Sequence, residues 1–351
     1  MIIIFKEFTI NNKTVKKAVI QGGMGIGVSL SNLAGAVARE GSVGVISSAH
    51  PAYNHPDFYS KNTLELNLET LGYHIKKAKE ISSNGVIGVN IMWAGKNYEK
   101  FVKCCIDNGA DLIVSGAGLP TELPKYAGNS DINIAPIVSS SKALTIILRL
   151  WDKRYKKTAD MIVFEGKKAG GHLGFKPEQL DSEDDINDLS ETIKIRDEYE
   201  KIYNKKIPII FGGGIFYKSD VEKYLRLGFD GIQVATRFIA TEECDASDNY
   251  KKRYLGVNKD DIVITKSPVG MPGRAIKNKF LEKIEQGRIP AENCVNCIRV
   301  CKPAETPYCI TNALKNAVMG NCDDGLLFCG ANTHLLKEIT TVKKVFEDLG
   351  V

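Results

Sequence analysis

Short apolar runs recur along the chain at 17–21, 43–47, 86–92, 112–115, 132–138, 161–165, 208–211 and 231–235, and most end in Gly or a small polar residue. Runs this short, rich in Val and Ile, suit strands that are buried on both faces. Between them the apolar residues fall at helical spacing, as at Leu33, Ala34, Val37 and Ala38, or at Ala143, Ile146, Ile147 and Leu150. Ser219-Asp220-Val221-Glu222 has the form of a capping box, so Ser219 is predicted to open the helix that carries Leu225 and Leu227. Strands and helices alternating in this way require parallel strands with right-handed crossovers, and eight such units close a barrel. The predicted fold is therefore α/β: a (β/α)8 TIM barrel over 1–285, with a cysteine-rich, mainly helical C-terminal extension over 286–351 packed on it. A doubly wound open sheet competes, but Gly22-Gly23-Met24-Gly25-Ile26-Gly27 lacks the G-x-G-x-x-G spacing that such a sheet places after its first strand.

The residues just after each strand of such a barrel carry its chemistry. Here the first run leads into Gln21-Gly22-Gly23-Met24, the third holds Asn90, and the fourth leads into Ser115-Gly116-Ala117-Gly118. The sixth leads into Glu165-Gly166 and then Gly170-Gly171-His172, the seventh into Gly212-Gly213-Gly214, and the eighth into Ala235-Thr236-Arg237. Glycines at one mouth let backbone amides approach a ligand closely. Barrels commonly hold a phosphate after strands seven and eight, which makes Gly212, Gly213, Gly214 and Thr236 candidate anion ligands; plain tight turns are the alternative. His172 lies beyond a strand end, where a group that titrates near ~6.5 suits proton transfer, against the alternative of a structural histidine. His50, His55, His74 and His334 have no comparable setting and read as structural or exposed. The long connections 48–85 and 166–207 are candidate lids, and the acidic run 181–185 reads as a solvated loop or a helix start.

Composition adds little to this picture. A chain of 351 residues with 43% hydrophobic and 25% charged residues has enough apolar surface for a large core. The net charge of +5 is too mild to point to nucleic acid. Met1-Ile2-Ile3-Ile4-Phe5 runs at once into Lys6-Glu7, unlike an export signal, and no segment approaches membrane-spanning length. A cytoplasmic location with reduced cysteines is the resulting expectation.

Taken in order, Gln21-Gly22-Gly23-Met24, Gly88-Val89-Asn90-Ile91-Met92, Glu165-Gly166, Ala169-Gly170-Gly171-His172-Leu173-Gly174, Gly212-Gly213-Gly214-Ile215 and Gln233-Val234-Ala235-Thr236-Arg237-Phe238 resemble the nitronate monooxygenase (2-nitropropane dioxygenase) and flavin-type enoyl-acyl-carrier-protein reductase family. The resemblance runs from about Ile20 to Asn278. It implies an FMN site with Gly22, Gly23, Met24 and Asn90 near the isoalloxazine and Glu165, Gly170 and Gly171 beside it. It also implies that Gly212, Gly213, Gly214, Gln233, Ala235 and Thr236 surround the phosphate end. His172 matches the active-site histidine. The leading activity implied is oxidation of alkyl nitronates with dioxygen. Arg274-Ala275-Ile276-Lys277-Asn278 is similar to the reductase branch, in which NAD(P)H reduces an enoyl thioester. A flavin-binding sensor or partner subunit with little turnover is the reading from a different class. The partners expected are a small-molecule nitronate or enoyl thioester and, at most, a second copy of the chain in a homodimer; neither nucleic acid nor membrane is expected.

Six of the nine cysteines cluster late in the chain, with Cys294, Cys297, Cys301 and Cys309 followed by Cys322 and Cys329. The first four, spaced C-x2-C-x3-C-x7-C, admit an iron–sulfur cluster, a zinc ion or reduced thiols that pack a helical extension. Cys104 and Cys105 fall in the third helix pattern and read as core.

Overall fold

The computed structural model describes residues 5–351, so most of the apolar start weighed above as an export signal, residues 1–4, lies outside the described residues. All eight apolar runs form strands of one parallel barrel sheet. A hairpin, β1 (Phe8–Ile10) and β2 (Lys13–Val15), precedes β3 (Val19–Gln21), β4 (Val43–Ser47), β5 (Val86–Met92), β6 (Leu112–Gly116), β7 (Asn133–Val138) and β8 (Ile162–Glu165). The two-residue β9 (Gly171–His172) interrupts the series before β10 (Ile209–Gly212) and β11 (Gly231–Val234) complete it. Crossovers are made by α1 (Ser31–Arg39), α2 (Thr63–Ile81), α3 (Tyr98–Asp107), α4 (Leu123–Ala127), α5 (Ser141–Tyr155), α6 (Ile186–Tyr203) and α7 (Lys218–Arg226), and α8 (Thr236–Ile239) follows β11. This is the (β/α)8 order.

Backbone pairing runs from β3 through β11, β10, β8, β7, β6 and β5 to β4. The remaining seam, between β3 and β4, is joined by a side chain. The Gln21 amide donates from Nε2 to the Val45 carbonyl at 2.8 Å, and its Oε1 accepts from the Val45 amide at 3.2 Å. Ser29 Oγ accepts a further bond from Gln21 Nε2 at 2.8 Å, and the glutamine is fully buried. β3 is too short to build a ladder of its own with β4, and the side-chain amide presents the same donor and acceptor that a strand would.

Inside the barrel, Ile20, Val43, Val45, Val86, Leu112, Val114, Ala135, Met161, Val163 and Ile210 form one core. Ile10 and Val15 of the hairpin join it, so β1 and β2 plug one end of the barrel. At that end Asp111, nearly inaccessible, pairs with Lys13 at 3.1 Å and Lys79 at 2.8 Å. The other end is left for ligands.

One helix start differs from expectation. α7 begins at Lys218 with Tyr217 as its N-cap, and Asp220 rather than Ser219 makes the side-chain bonds at this entry, its Oδ2 accepting from the amides of Phe216 at 2.9 Å and Tyr217 at 2.8 Å. A carboxylate reaches farther back than a hydroxyl and favours the positive end of the helix, so it takes the role. The acidic run splits in function: Asp185 caps α6, while Asp184 accepts from the Lys167 amide at 2.7 Å and ties the long connection down.

Beyond the barrel come α9 (Asp248–Arg253), β12 (Ile262–Lys266), β13 (Pro272–Ile276), α10 (Lys279–Gln286), α11 (Ile310–Val318) and α12 (Val342–Asp348). β12, β13 and β9 make a small antiparallel sheet over the barrel mouth. α12 returns to α1 and α8, where Arg237 pairs with Asp348 at 2.7 Å. No helix among the described residues is long and apolar enough to cross a membrane.

The seam predicts a specific weakness. Gln21→Leu fills the same space but leaves the Val45 amide and carbonyl buried without partners, so it should destabilise the fold by about 2–4 kcal/mol. A urea midpoint unchanged from that of the wild type would show that the seam does not depend on this side chain.

Candidate active site

The carboxyl ends of the barrel strands open into a cleft of about 310 Å³. All fourteen of the candidate catalytic and cofactor residues line it: Gly22, Gly23 and Met24 after β3, Asn90 in β5, Glu165 at the end of β8, and Gly170, Gly171 and His172 at β9. Gly212, Gly213 and Gly214 arrive from β10, and Gln233, Ala235 and Thr236 from β11 and α8. Two of the glycines show why no other residue fits. A Cβ on Gly23 would stand 2.4 Å from that of Asn90, so only glycine lets the end of β3 lie against β5. Gly171 has φ +67° and a Cβ there would meet nothing within 4 Å, which leaves its backbone bare towards the cleft.

His172 is held by strand pairing rather than by a loop. It sits opposite Gly273 of β13, and the next amide, Leu173, donates to Pro272 at 2.8 Å. The Arg274 guanidinium donates to the Ala169 carbonyl and fixes the approach to β9. On the ring itself, Nε2 lies 2.7 Å from Ser267 Oγ, and Phe328 packs edge-on at 4.9 Å. Burial lowers the His172 pKa to about 4, so the ring is uncharged at neutral pH.

Glu165 moves in the opposite sense for the same reason. Burial raises its pKa to about 7, and the hydrogen bond from Gln233 Nε2 at 3.0 Å offsets only part of that rise. The carboxyl and the imidazole therefore both resist charge in the cleft.

The phosphate end has the donor set for an anion. Gly213 and Gly214 turn through φ +124° and +75°, and Thr236 offers a hydroxyl whose oxygen already accepts from the Gly330 amide at 2.9 Å. Arg237 lines the same end, and among the described residues its buried Nε has no hydrogen-bond partner.

Several cleft residues escaped the sequence analysis. Phe328, Gly330, Asn332 and Thr333 come from the C-terminal extension, and Asn332 Nδ2 donates to the Gly214 carbonyl at 2.6 Å. Gly330 and Asn332 were a visible small-polar signal in a stretch considered only for its cysteines. Ser267 carried no signal of its own, because only the pairing of β9 with β13 brings it to His172. His50, read as structural or exposed, in fact lines the cleft: its Nε2 lies 3.3 Å from Thr311 Oγ1, and burial lowers its pKa to about 4.

The cysteines divide. Cys104 and Cys105 are buried in α3, as the pattern implied. Cys294, Cys297, Cys301 and Cys309 line one small cavity and are free thiols. Among the described residues no group of three or more His, Cys, Asp or Glu is placed to hold a metal ion, so the four thiols as they stand do not form the zinc or iron–sulfur site that their spacing admits.

The nitronate monooxygenase family profile matches residues 6–350. A probable nitronate monooxygenase of Bacillus subtilis is 25% identical over 365 residues, covering 96% of each chain. A Mycobacterium tuberculosis relative, (3aS,4S,5R,7aS)-5-hydroxy-7a-methyl-1-oxo-octahydro-1H-indene-4-carboxyl-CoA dehydrogenase, is 24% identical over 273 residues, which span 78% of this chain but 66% of that one. The structure of FabK from Thermotoga maritima superimposes with a TM-score of 0.71 at 23% identity, covering 95% of this chain and 92% of that one. At that identity the last match speaks for the fold alone.

The raised carboxyl makes stability depend on pH. In the folded, ligand-free protein Glu165 holds a proton that the unfolded chain has released between pH 4.5 and 7, so its contribution is lost as pH rises through that window. Glu165→Gln removes the effect, and the variant should gain up to about 3 kcal/mol on the wild type between pH 5 and 8. A stability difference that stays flat across that range would mean that the carboxyl is not held protonated.

Proposed function

The chain belongs to the nitronate monooxygenase family of flavin-dependent oxidoreductases, and within it we propose that it binds FMN and oxidises alkyl nitronates with dioxygen. The observation that carries this reading is the convergence in one cleft of an uncharged, strand-held His172 with a glycine-lined anion cradle. The family match over nearly the whole chain supports the substrate class.

Gly213 and Gly214 amides and the Thr236 hydroxyl would hold the phosphate. Gly22, Gly23, Met24, Asn90, Glu165, Gly170 and Gly171 would flank the ring system, with Gly212, Gln233 and Ala235 between the two ends. Bound there, FMN would supply the redox chemistry between substrate and dioxygen.

The chain's own residues handle the proton. A neutral nitroalkane must lose its α-proton to become a nitronate, and an uncharged imidazole can accept it. Burial opposes the resulting imidazolium, but the nitronate anion forms beside it, and the opposite charge offsets the desolvation. Ser267 fixes the plane of the ring through its hydrogen bond to Nε2 and acts as a positioning residue.

Reduction of an acyl thioester by NAD(P)H is the second reading. The M. tuberculosis relative is named for a carboxyl-CoA substrate, and Lys96 on the cleft wall offers a cation to a thioester's phosphate groups.

His172→Asn separates proton handling from cofactor binding. Turnover of a neutral nitroalkane should fall by about 10²- to 10⁴-fold, while a preformed nitronate suffers less and FMN content holds. Undiminished turnover of the nitroalkane in a flavin-replete variant would falsify the assignment.

A further inference from the structure

We propose that Thr311, with its hydroxyl oriented by His50, is a specificity-determining residue that recognises a neutral oxygen, carbonyl or ether, at the far end of an apolar nitronate. The proposal rests on the nitronate reading above and names the substrate class of the same cleft.

The cleft has two unlike arcs. His172 follows β8 and His50 follows β4, and these strands stand four places apart in the ring of eight, so the two histidines come from opposite walls. One arc between them, from β3, β11 and β10, carries the glycines assigned to the flavin. On the other arc β5, β6 and β7 present, apart from Asn90, the apolar Met92, Ala117 and Ile137. Met92 and Ala117 pack against the cluster that holds Ile298 and Ile310 of the extension, and all four line the cleft. An apolar chain whose reacting carbon sits at His172 can follow this wall towards His50.

The polar groups at the end of that wall form a relay with one direction. Asn67 of α2 accepts from the Ala52 amide through Oδ1 at 3.2 Å and donates from Nδ2 to the Thr63 carbonyl at 2.7 Å, which fixes its orientation. The same Nδ2 faces His50 Nδ1 at 3.4 Å. A ring nitrogen that faces an amide donor is the unprotonated one, so the His50 proton is on Nε2, which donates to Thr311 Oγ1 at 3.3 Å. Thr311 Oγ1 in turn lies 3.2 Å from Cys297 Sγ.

Counting hydrogens shows what the relay lacks. The Thr311 hydroxyl and the Cys297 thiol carry one polar hydrogen each and share one bond, and among the described residues neither has another acceptor. One hydrogen is therefore left for the cleft, which both side chains line. The hydroxyl is the stronger donor, so an oxygen in the cleft takes its hydrogen while the thiol turns to the second lone pair of Thr311.

The relay is also held in place. His50 stands at φ +49°, uncommon for a residue other than glycine, its carbonyl accepts from the Tyr53 amide at 3.1 Å, and its ring packs edge-on to Phe58 at 5.4 Å. The Cys297 carbonyl accepts from the Lys96 amide at 2.8 Å. Asn67, His50, Thr311 and Cys297 are all uncharged at neutral pH, so the free donor matches a neutral oxygen rather than a carboxylate.

The test uses the flavin-loaded full chain and a series of chain lengths, from nitropentane to nitrononane. At each length it compares the nitronates of the linear nitroalkane, of the nitroketone with its carbonyl beside the terminal methyl, and of the nitro acid. Dissociation constants of the matching alkanoates and oxoalkanoates, read from the flavin absorption shift, give a second measure, because these carboxylates resemble a nitronate in shape but are not oxidised. At the length that spans the cleft, the wild type should prefer the ketone over the alkane by about 3- to 10-fold in kcat/KM and in Kd. Thr311→Val should bring that ratio to parity and Thr311→Ser should keep it. His50→Asn, which tolerates the left-handed backbone, should lower it; should Thr311→Val fail to fold, this variant decides instead. Parity in the wild type at every length, a ratio unmoved by Thr311→Val, or a preference for the nitro acid over the ketone would overturn the proposal. A ketone preference among the carboxylates with no turnover of any nitronate would remove the oxidation reading and leave the donor site standing.

Discussion

A glutamine side chain closes the barrel, and the site depends on where that closure leaves the chain. β3 has three residues and no backbone pairing with β4, so the Gln21 amide makes the two bonds to Val45 that complete the ring of strands. The residues that follow it, Gly22, Gly23 and Met24, are thereby delivered to the mouth opposite β5, where the absence of a Cβ on Gly23 lets them lie against Asn90. Buried amides tolerate no missing partner, so register at this seam is fixed as firmly as in a ladder.

The second wall comes from the extension. The Cys329 backbone lies so close to Gly170 that a Cβ there would stand 2.7 Å away, and β13 pairs with β9 to seat His172. Barrel and extension together half-bury one carboxyl and one imidazole in the cleft. The same burial that raises the Glu165 carboxyl to about 7 keeps His172 uncharged, which leaves little fixed charge at the centre of the cleft.

The fold was legible because eight short apolar runs separated by helical spacing admit few arrangements, and each run became a barrel strand. The glycines and His172 were legible because they stand just past strand ends, where a barrel forms its site. Ser267 and Phe328 were not, since they meet His172 only through contacts between segments far apart in sequence, whereas His50 stands just past β4 but outside any glycine-rich segment. The start of α7 lies two residues before the expected cap: Tyr217 is the N-cap, and Asp220, beside Ser219, makes the side-chain bonds back to the entry. Cysteine spacing left packed thiols, zinc and an iron–sulfur cluster open; the four thiols line one small cavity, and among the described residues no three are placed to hold a metal ion.

The central claim is that this cleft holds FMN against a substrate that has lost, or can lose, its proton to His172. Rapid anaerobic mixing of the flavin-loaded protein with an alkyl nitronate, and separately with NAD(P)H, tests it most directly through bleaching of the flavin absorption. The account predicts fast bleaching by the nitronate alone, with colour restored by dioxygen; bleaching by NAD(P)H with none by the nitronate would contradict it and assign the cleft to thioester reduction.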